Sequence, residues 1–182
     1  PIHIHVSVKI KGTLMHLLID VTNTDPSPSK ENLTKLVDYF NNRKFNEVTT
    51  IGGEILRDFP NDAFVMNMVG LANFNIGKKT DALNWLKKAY EKTPGNLETA
   101  SNLALILHSE GKYAEAIPIF ETIIQAKSDV PEILFNYALA LEKAGFLDKA
   151  EITYKKIIKL RENFGPAYFN AGLLMQRKGN TT

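Results

Sequence analysis

The residues with the plainest potential for chemistry stand near the start of the chain. His3 and His5 are two apart, the spacing that puts two imidazoles on one side of a strand, as in a His-x-His metal site. A third ligand is missing: no carboxylate is near in sequence, and His16 lies beyond Gly12. The pair is expected to face solvent, with no metal and no cofactor. His108, a lone histidine in an apolar run, reads as a surface or groove residue. No Ser/His/Asp order, phosphate-binding loop or dinucleotide-binding glycine pattern occurs, so the chain is read as a non-enzyme. Zero cysteines among 182 residues exclude a disulfide framework, a thiol nucleophile and Cys-based zinc or iron–sulfur sites.

Composition narrows the partners. With 44% hydrophobic and 23% charged residues, the chain has the balance of a globular protein with a real core. The net charge of +2 hides local asymmetry. Residues 63–96 carry five lysines against two acidic residues, whereas 97–130 carry five acidic residues against two lysines. The sign alternates along the chain, so no continuous basic stripe follows a phosphate backbone, and nucleic acid is not an expected partner. Lys87-Lys88 and Lys155-Lys156 read as solvated faces. No apolar run of about 18 residues exists, and residues 1–28 lack the basic start of a signal peptide. The expectation is a cytoplasmic protein that does not enter a membrane. Asn32-Leu-Thr and Asn180-Thr-Thr match glycosylation sequons, but with no export signal they are read as chance matches.

The elements that would position any site follow one period. Gly77, Gly111, Gly145 and Gly179 are each 34 residues apart. Ala82, Ala116 and Ala150 lie five residues after the first three, and Gly70, Ala104, Ala138 and Gly172 lie seven before each glycine. Three columns in one register define repeats 63–96, 97–130 and 131–164, with a half-repeat over 165–180. One period back, 29–62 is a degenerate repeat in which Arg43 replaces the glycine and Val48 the alanine. Each repeat predicts a helical hairpin. Apolar residues recur at helical spacing and stop at the glycine, which can take the left-handed conformation past a helix end. A second apolar helix follows, for example Tyr113 to Lys127. The small residues let two helix axes approach. Pro118 falls early in that second helix, and Gly52-Gly53 predicts a weak or kinked one.

A 34-residue hairpin with small residues at positions 8, 20 and 27, Gly at 15 and Pro at 32 resembles the tetratricopeptide repeat. Repeat 63–96 matches all five positions, with Gly70, Gly77, Ala82, Ala89 and Pro94. The later repeats depart at the last two, with Ile123 and Ser128, then Ile157 and Glu162. The resemblance implies an all-α, right-handed superhelical solenoid of antiparallel hairpins, about four repeats plus a terminal helix. It also implies that the first helices line a concave groove. On those positions stand Asn67, Leu71, Phe74, Asn102, Leu105, His108, Phe135, Asn136, Leu139, Phe169, Asn170 and Leu173. Asn102, Asn136 and Asn170 would form an amide row that bonds the backbone of an extended peptide. Leu71, Leu105, Leu139 and Leu173 would form an apolar stripe, unless helix rotation tucks them into the packing. The carboxylate clamp of chaperone-tail binders is absent: its positions hold Asn67, Leu71, Asn102, Glu132 and Asn136, and only Asn102 fits.

The resemblance thus implies a non-catalytic module that binds a protein, a peptide or a partner helix in its groove. One alternative is the substrate-presenting arm of a larger bacterial glycosyltransferase or sulfotransferase, similar to O-linked N-acetylglucosamine transferases; another is a self-assembly scaffold. Homo-oligomers would form through the C-terminal helix or the N-terminal segment. Residues 1–28 stand outside the period. Ile2, Ile4, Val6, Val8 and Ile10 alternate with polar residues as a strand does, yet a lone strand has no sheet to join. Residues 1–14 read either as upstream sequence before a native start at Met15 or as an edge strand. Ser27 or Ser29, beside Pro26 and Pro28, is the expected cap of the first helix.

Overall fold

The computed structural model describes residues 3–10, 13–20, 27–127 and 129–179, the first two stretches by their backbone alone. Two strands, β1 (His3–Ile10) and β2 (Thr13–Asp20), precede nine helices among the described residues. The helices are α1 (Lys30–Asn41), α2 (Phe45–Asp58), α3 (Ala63–Asn75), α4 (Lys79–Lys92) and α5 (Leu97–Ser109). They continue as α6 (Tyr113–Ala126), α7 (Pro131–Lys143), α8 (Leu147–Leu160) and α9 (Gly165–Gly179). The chain divides into two compact units, residues 1–102 and 103–182.

The expectation of a strand without a sheet is corrected. β1 pairs antiparallel with β2, from His3 opposite Asp20 to Ile10 opposite Thr13. The apolar run after Gly12 supplies the second strand. The side chains of His3, His5, Met15 and His16 lie outside the described residues, as do Pro26 and the Asn180 sequon.

Each reversal between a first and a second helix is made in the same way. After α3, Ile76, Gly77 and Lys78 donate their N–H groups to Ala72, Phe74 and Asn73. The same three bonds recur at 110–112 and at 144–146. Gly77, Gly111 and Gly145 sit at φ +83°, +74° and +87°, where a β-carbon crowds the backbone. At 42–44 the pattern is identical, and there Arg43 takes φ +57°. First helices are capped by side chains where the sequence allows. Ser29 Oγ accepts from Asn32 N at 3.2 Å, Asp62 Oδ1 from Val65 N at 2.8 Å, and Asn96 Oδ1 from Thr99 N at 3.0 Å.

In the first unit α3 is the centre. Val65 through Asn73 are all buried, because α3 packs against α1, α2 and α4. An all-round apolar helix has no other place. Gly70 is the close approach: a β-carbon there would lie 2.7 Å from Leu86 Cγ and 3.2 Å from the Ala82 carbonyl. Gly52 is a second one, and this corrects its reading as a mark of weakness. A β-carbon on Gly52 would lie 2.2 Å from Val69 Cγ2, whereas one on Gly53 would meet open space.

In the second unit the core joins α7, α8 and α9 through Leu134, Ala138, Leu141, Ala150, Tyr154, Ile157, Ala167, Ala171 and Leu174. The Tyr154 hydroxyl donates to Glu142 Oε2 at 3.1 Å, and the other oxygen of Glu142 pairs with Arg177. Lys178 reaches back from α9 to Asp148 (2.6 Å) and Glu151 (2.7 Å) on α8. Pro118 is the sixth residue of α6. Ala116 N already bonds to the Lys112 carbonyl, so the free donors have ended, and Pro118 removes one internal bond on an exposed face.

Two adjacent glycines should therefore respond with opposite signs in urea unfolding. Gly53→Ala is expected to stabilise by about 0.5–1 kcal/mol through helix propensity. Gly52→Ala is expected to destabilise by about 1–3 kcal/mol through overpacking against Val69. Equal shifts would contradict the close approach of α2 and α3. In the same assay, Arg43→Gly is expected to stabilise by about 0.5–1 kcal/mol, since only glycine occupies that backbone region without cost.

Candidate functional site

The groove positions fall into two different environments, one in each unit. In the first unit the structure corrects three of them. Asn67 and Asn102 are 1% exposed and bond to each other, Asn102 Nδ2 donating to Asn67 Oδ1 at 3.1 Å. Leu71 is fully buried. Both follow from the all-round burial of α3, which turns positions 5 and 9 of its repeat into packing. Phe74 is half-buried. Asn102 Oδ1 is buried without a hydrogen-bond partner, as is Glu98 Oε1. Burial pushes the Glu98 carboxyl up to about 7. Glu98 was absent from the sequence-based set, although position 2 of a repeat also lines the groove by resemblance.

In the second unit the same register stays nearer the surface. Leu105, His108, Phe135, Asn136 and Leu139 are half-buried. Leu173 is 41% and Phe169 67% exposed. The side chains of Asn136 and Asn170 donate to the carbonyls one turn back in their own helices, Glu132 at 3.1 Å and Pro166 at 2.8 Å. The expected row of free amides is therefore not assembled: one pair is buried, and the other two are engaged locally. Phe135 stacks obliquely on Tyr154 and Phe164, with centroids 6.1 and 5.5 Å apart. Glu132 pairs with Arg161 at 2.5 Å, and the Arg161 bond outweighs partial burial to hold its carboxyl below the usual range. His108 meets the Tyr113 ring edge-on at 5.4 Å, and its Nε2 is buried without a partner. Burial first, and the Lys143 charge second, lower its pKa, so the neutral ring is favoured.

The structural repeat positions divide in the same way. Ala82, Ala116, Ala150, Gly70, Ala104 and Ala138 are buried where two helices meet. Gly172 is exposed, with nothing near its would-be β-carbon, and Gly179 is the last residue of α9 rather than a turn beyond it. Among the described residues no helix is long and apolar enough to cross a membrane.

Comparison with known proteins agrees with this geometry. The family model described as "Tetratricopeptide repeat" matches residues 107–172. The BBSome complex member BBS4 homolog of Drosophila melanogaster is 26% identical over 133 residues, 71% of this chain and 27% of that protein. The TPR repeat-containing protein MJ0263 of Methanocaldococcus jannaschii is 36% identical over 91 residues, 47% of this chain and 28% of that protein. The chain thus spans little more than a quarter of the length of either relative. Among solved structures, MamA from Desulfovibrio magneticus RS-1 superposes with a TM-score of 0.76 at 19% identity, covering 82% of this chain and 85% of that one. Another MamA crystal structure gives 0.72 at 22% identity, covering 79% and 84%. The tetratricopeptide-repeat match thus runs from the end of α5 into α9, and the solved structures share the helical-hairpin fold.

Glu98 offers a direct test of the buried polar face. Its carboxyl titrates near 7 when folded and near 4.5 when unfolded, so the folded state holds the extra proton between those values. The stability this contributes is complete below the unfolded value and is lost as pH rises through 7. His108 works the other way, because the unfolded state gains a proton first as pH falls below 6.5. Glu98→Gln is expected to remove the first loss only. Its stability relative to the parent chain should rise from pH 4.5 to 7 in urea titrations, and a constant difference across that range would refute buried Glu98.

Proposed function

We propose that the chain is a non-catalytic protein-interaction module, and that the first-helix face of its second unit receives a peptide, a helix or a partner chain. The observation that carries this reading is the fate of one register. Leu71 is spent on packing, but Leu105, Leu139 and Leu173 remain partly exposed at the same repeat position, with Phe169 beside them. Exposed leucine and phenylalanine at helical-repeat spacing form an apolar strip that water solvates poorly. Covering such side chains gives about 1.5–3 kcal/mol each, more than surface ion pairs supply. Polar groups along the strip fix orientation. Asn136 and Asn170 each keep a carbonyl oxygen beyond the amide used locally, and His108 lies one turn beyond Leu105. The partner's main chain or hydroxyl groups would meet these, while its apolar side chains cover the leucines.

Replacing Leu105 and Leu139 together by Glu tests the assignment. Far-UV circular dichroism should be unchanged, since neither residue is fully buried. Proteins that cross-link to the parent chain in a native extract should be lost from the variant. Retention of the same cross-linked set by a folded variant would remove the face from consideration.

A further inference from the structure

The outer side of α8 differs in kind from that of the second helices before it. Repeat positions 16, 19, 22, 26, 29 and 30 form that side. In α2, α4 and α6 all of these positions are exposed, although a further hairpin follows each of those helices. Their exposure therefore belongs to the position in the repeat, not to what comes next in the chain. Those three helices place acidic residues there: Glu47, Glu54 and Asp58 on α2, Asp81 and Glu91 on α4, and Glu115 on α6. None of them places a large apolar side chain there. α8 reverses both choices. Its positions hold Phe146, Lys149, Ile152, Lys156, Lys159 and Leu160. Phe146 is 51%, Ile152 68% and Leu160 41% exposed. Asp148 and Glu151, the acidic residues of α8, lie beside this face and meet Lys178 of α9 at 2.6 and 2.7 Å.

We propose that this face of α8 docks the chain on the headgroup layer of an anionic lipid bilayer, with the helix lying on the surface. Charge complementarity names the sign of the partner: three ammonium groups stand on the face with no acidic residue among them. The arrangement names its kind. Each large apolar side chain lies within one helical turn of a lysine, so apolar and cationic groups interleave along a single stripe. Lys149 Nζ, for example, is 5.8 Å from the centroid of the Phe146 ring. A bilayer surface serves both groups at once. The apolar side chains reach the acyl boundary, while the lysine stems lie along them and carry their charges to the phosphates. A protein partner fits this face less well, because the cores of protein interfaces are depleted in lysine. Lys156 keeps an exposed 3.5 Å pair with Asp129, which a headgroup can replace at little cost.

The test is co-sedimentation with vesicles of equal parts phosphatidylcholine and phosphatidylglycerol, beside vesicles of phosphatidylcholine alone. Saturable binding to the anionic vesicles only is expected, and it should weaken as salt is raised. Ile152→Ser should reduce the affinity about tenfold. Lys149→Glu combined with Lys159→Glu should reduce it at least about as much. These substitutions change exposed side chains, so far-UV circular dichroism should match the parent. Lys88→Glu combined with Lys92→Glu on α4 changes the net charge by the same amount and should leave binding intact, which separates this face from general attraction. The Leu105/Leu139 double variant should also bind as the parent does. Equal loss in the α4 variant, undiminished binding by Ile152→Ser, or no binding up to about 1 mM lipid overturns the proposal. So does the loss of cross-linked proteins from the Lys149/Lys159 variant when the parent binds no vesicles, since an acidic protein surface would then be the occupant.

Discussion

Everything in the helical part depends on one backbone event, the entry of a residue into the left-handed region just past each first helix. The three hydrogen bonds that surround it close the helix and release the chain at a fixed angle. The residue that follows is the N-cap of the second helix, and it takes nearly the same conformation each time: Lys44, Lys78, Lys112 and Phe146 share φ between −82° and −85° and ψ between 56° and 69°. None of the four caps its helix with a side chain. The backbone turn alone thus sets the geometry of the hairpin, which explains why residues as different as lysine and phenylalanine serve there. It also explains how Arg43 can stand in the glycine column. The hairpin α1–α2 keeps its turn and pays with a side chain in a crowded conformation.

Once the turn fixes the direction of the second helix, the distance between axes is set by whichever partner gives up its side chain. In α3 against α4 it is the first helix, with Gly70 under Leu86. Between α2 and α3 it is the earlier helix, with Gly52 under Val69. The interior is close-packed, so the volume lost on one side is recovered on the other. A small residue in a repeat column therefore says that two axes come close, and the large residue it accommodates lies on the opposite helix.

These constraints decide what could be read from the sequence. The period was legible because the left-handed turn and the close approach each select a residue type, glycine or alanine, at a fixed place. Gly52 was misread because it lies outside those columns, and only its neighbour across the interface, Val69, explains it. The asparagine row was legible as a register but not as an environment. Position 5 is buried in α3 because that helix is surrounded, and the rotation and neighbours of a helix are not written in its own thirteen residues. Glu98 escaped for the same reason: its altered titration comes from burial alone. The hairpin β1–β2 was half seen, since period-two alternation marked β1, while the more uniformly apolar β2 has no such signature.

Burial in a repeat array is a relation between neighbours, so the same residue type means different things at different places along it. Leu71, with helices packed all around α3, contributes to stability; Leu173, at the same register on α9, contributes surface. The polar groups follow suit. Asn67 and Asn102 must satisfy each other because water cannot reach them. Asn136 and Asn170, nearer to solvent, bond their own helices and can exchange those bonds for others at little cost. The ionic contacts of α9 point the same way. Arg177 and Lys178 hold its end to Glu142 on α7 and to Asp148 and Glu151 on α8, so charges near its C-terminus, rather than burial all round, fix the position of this helix.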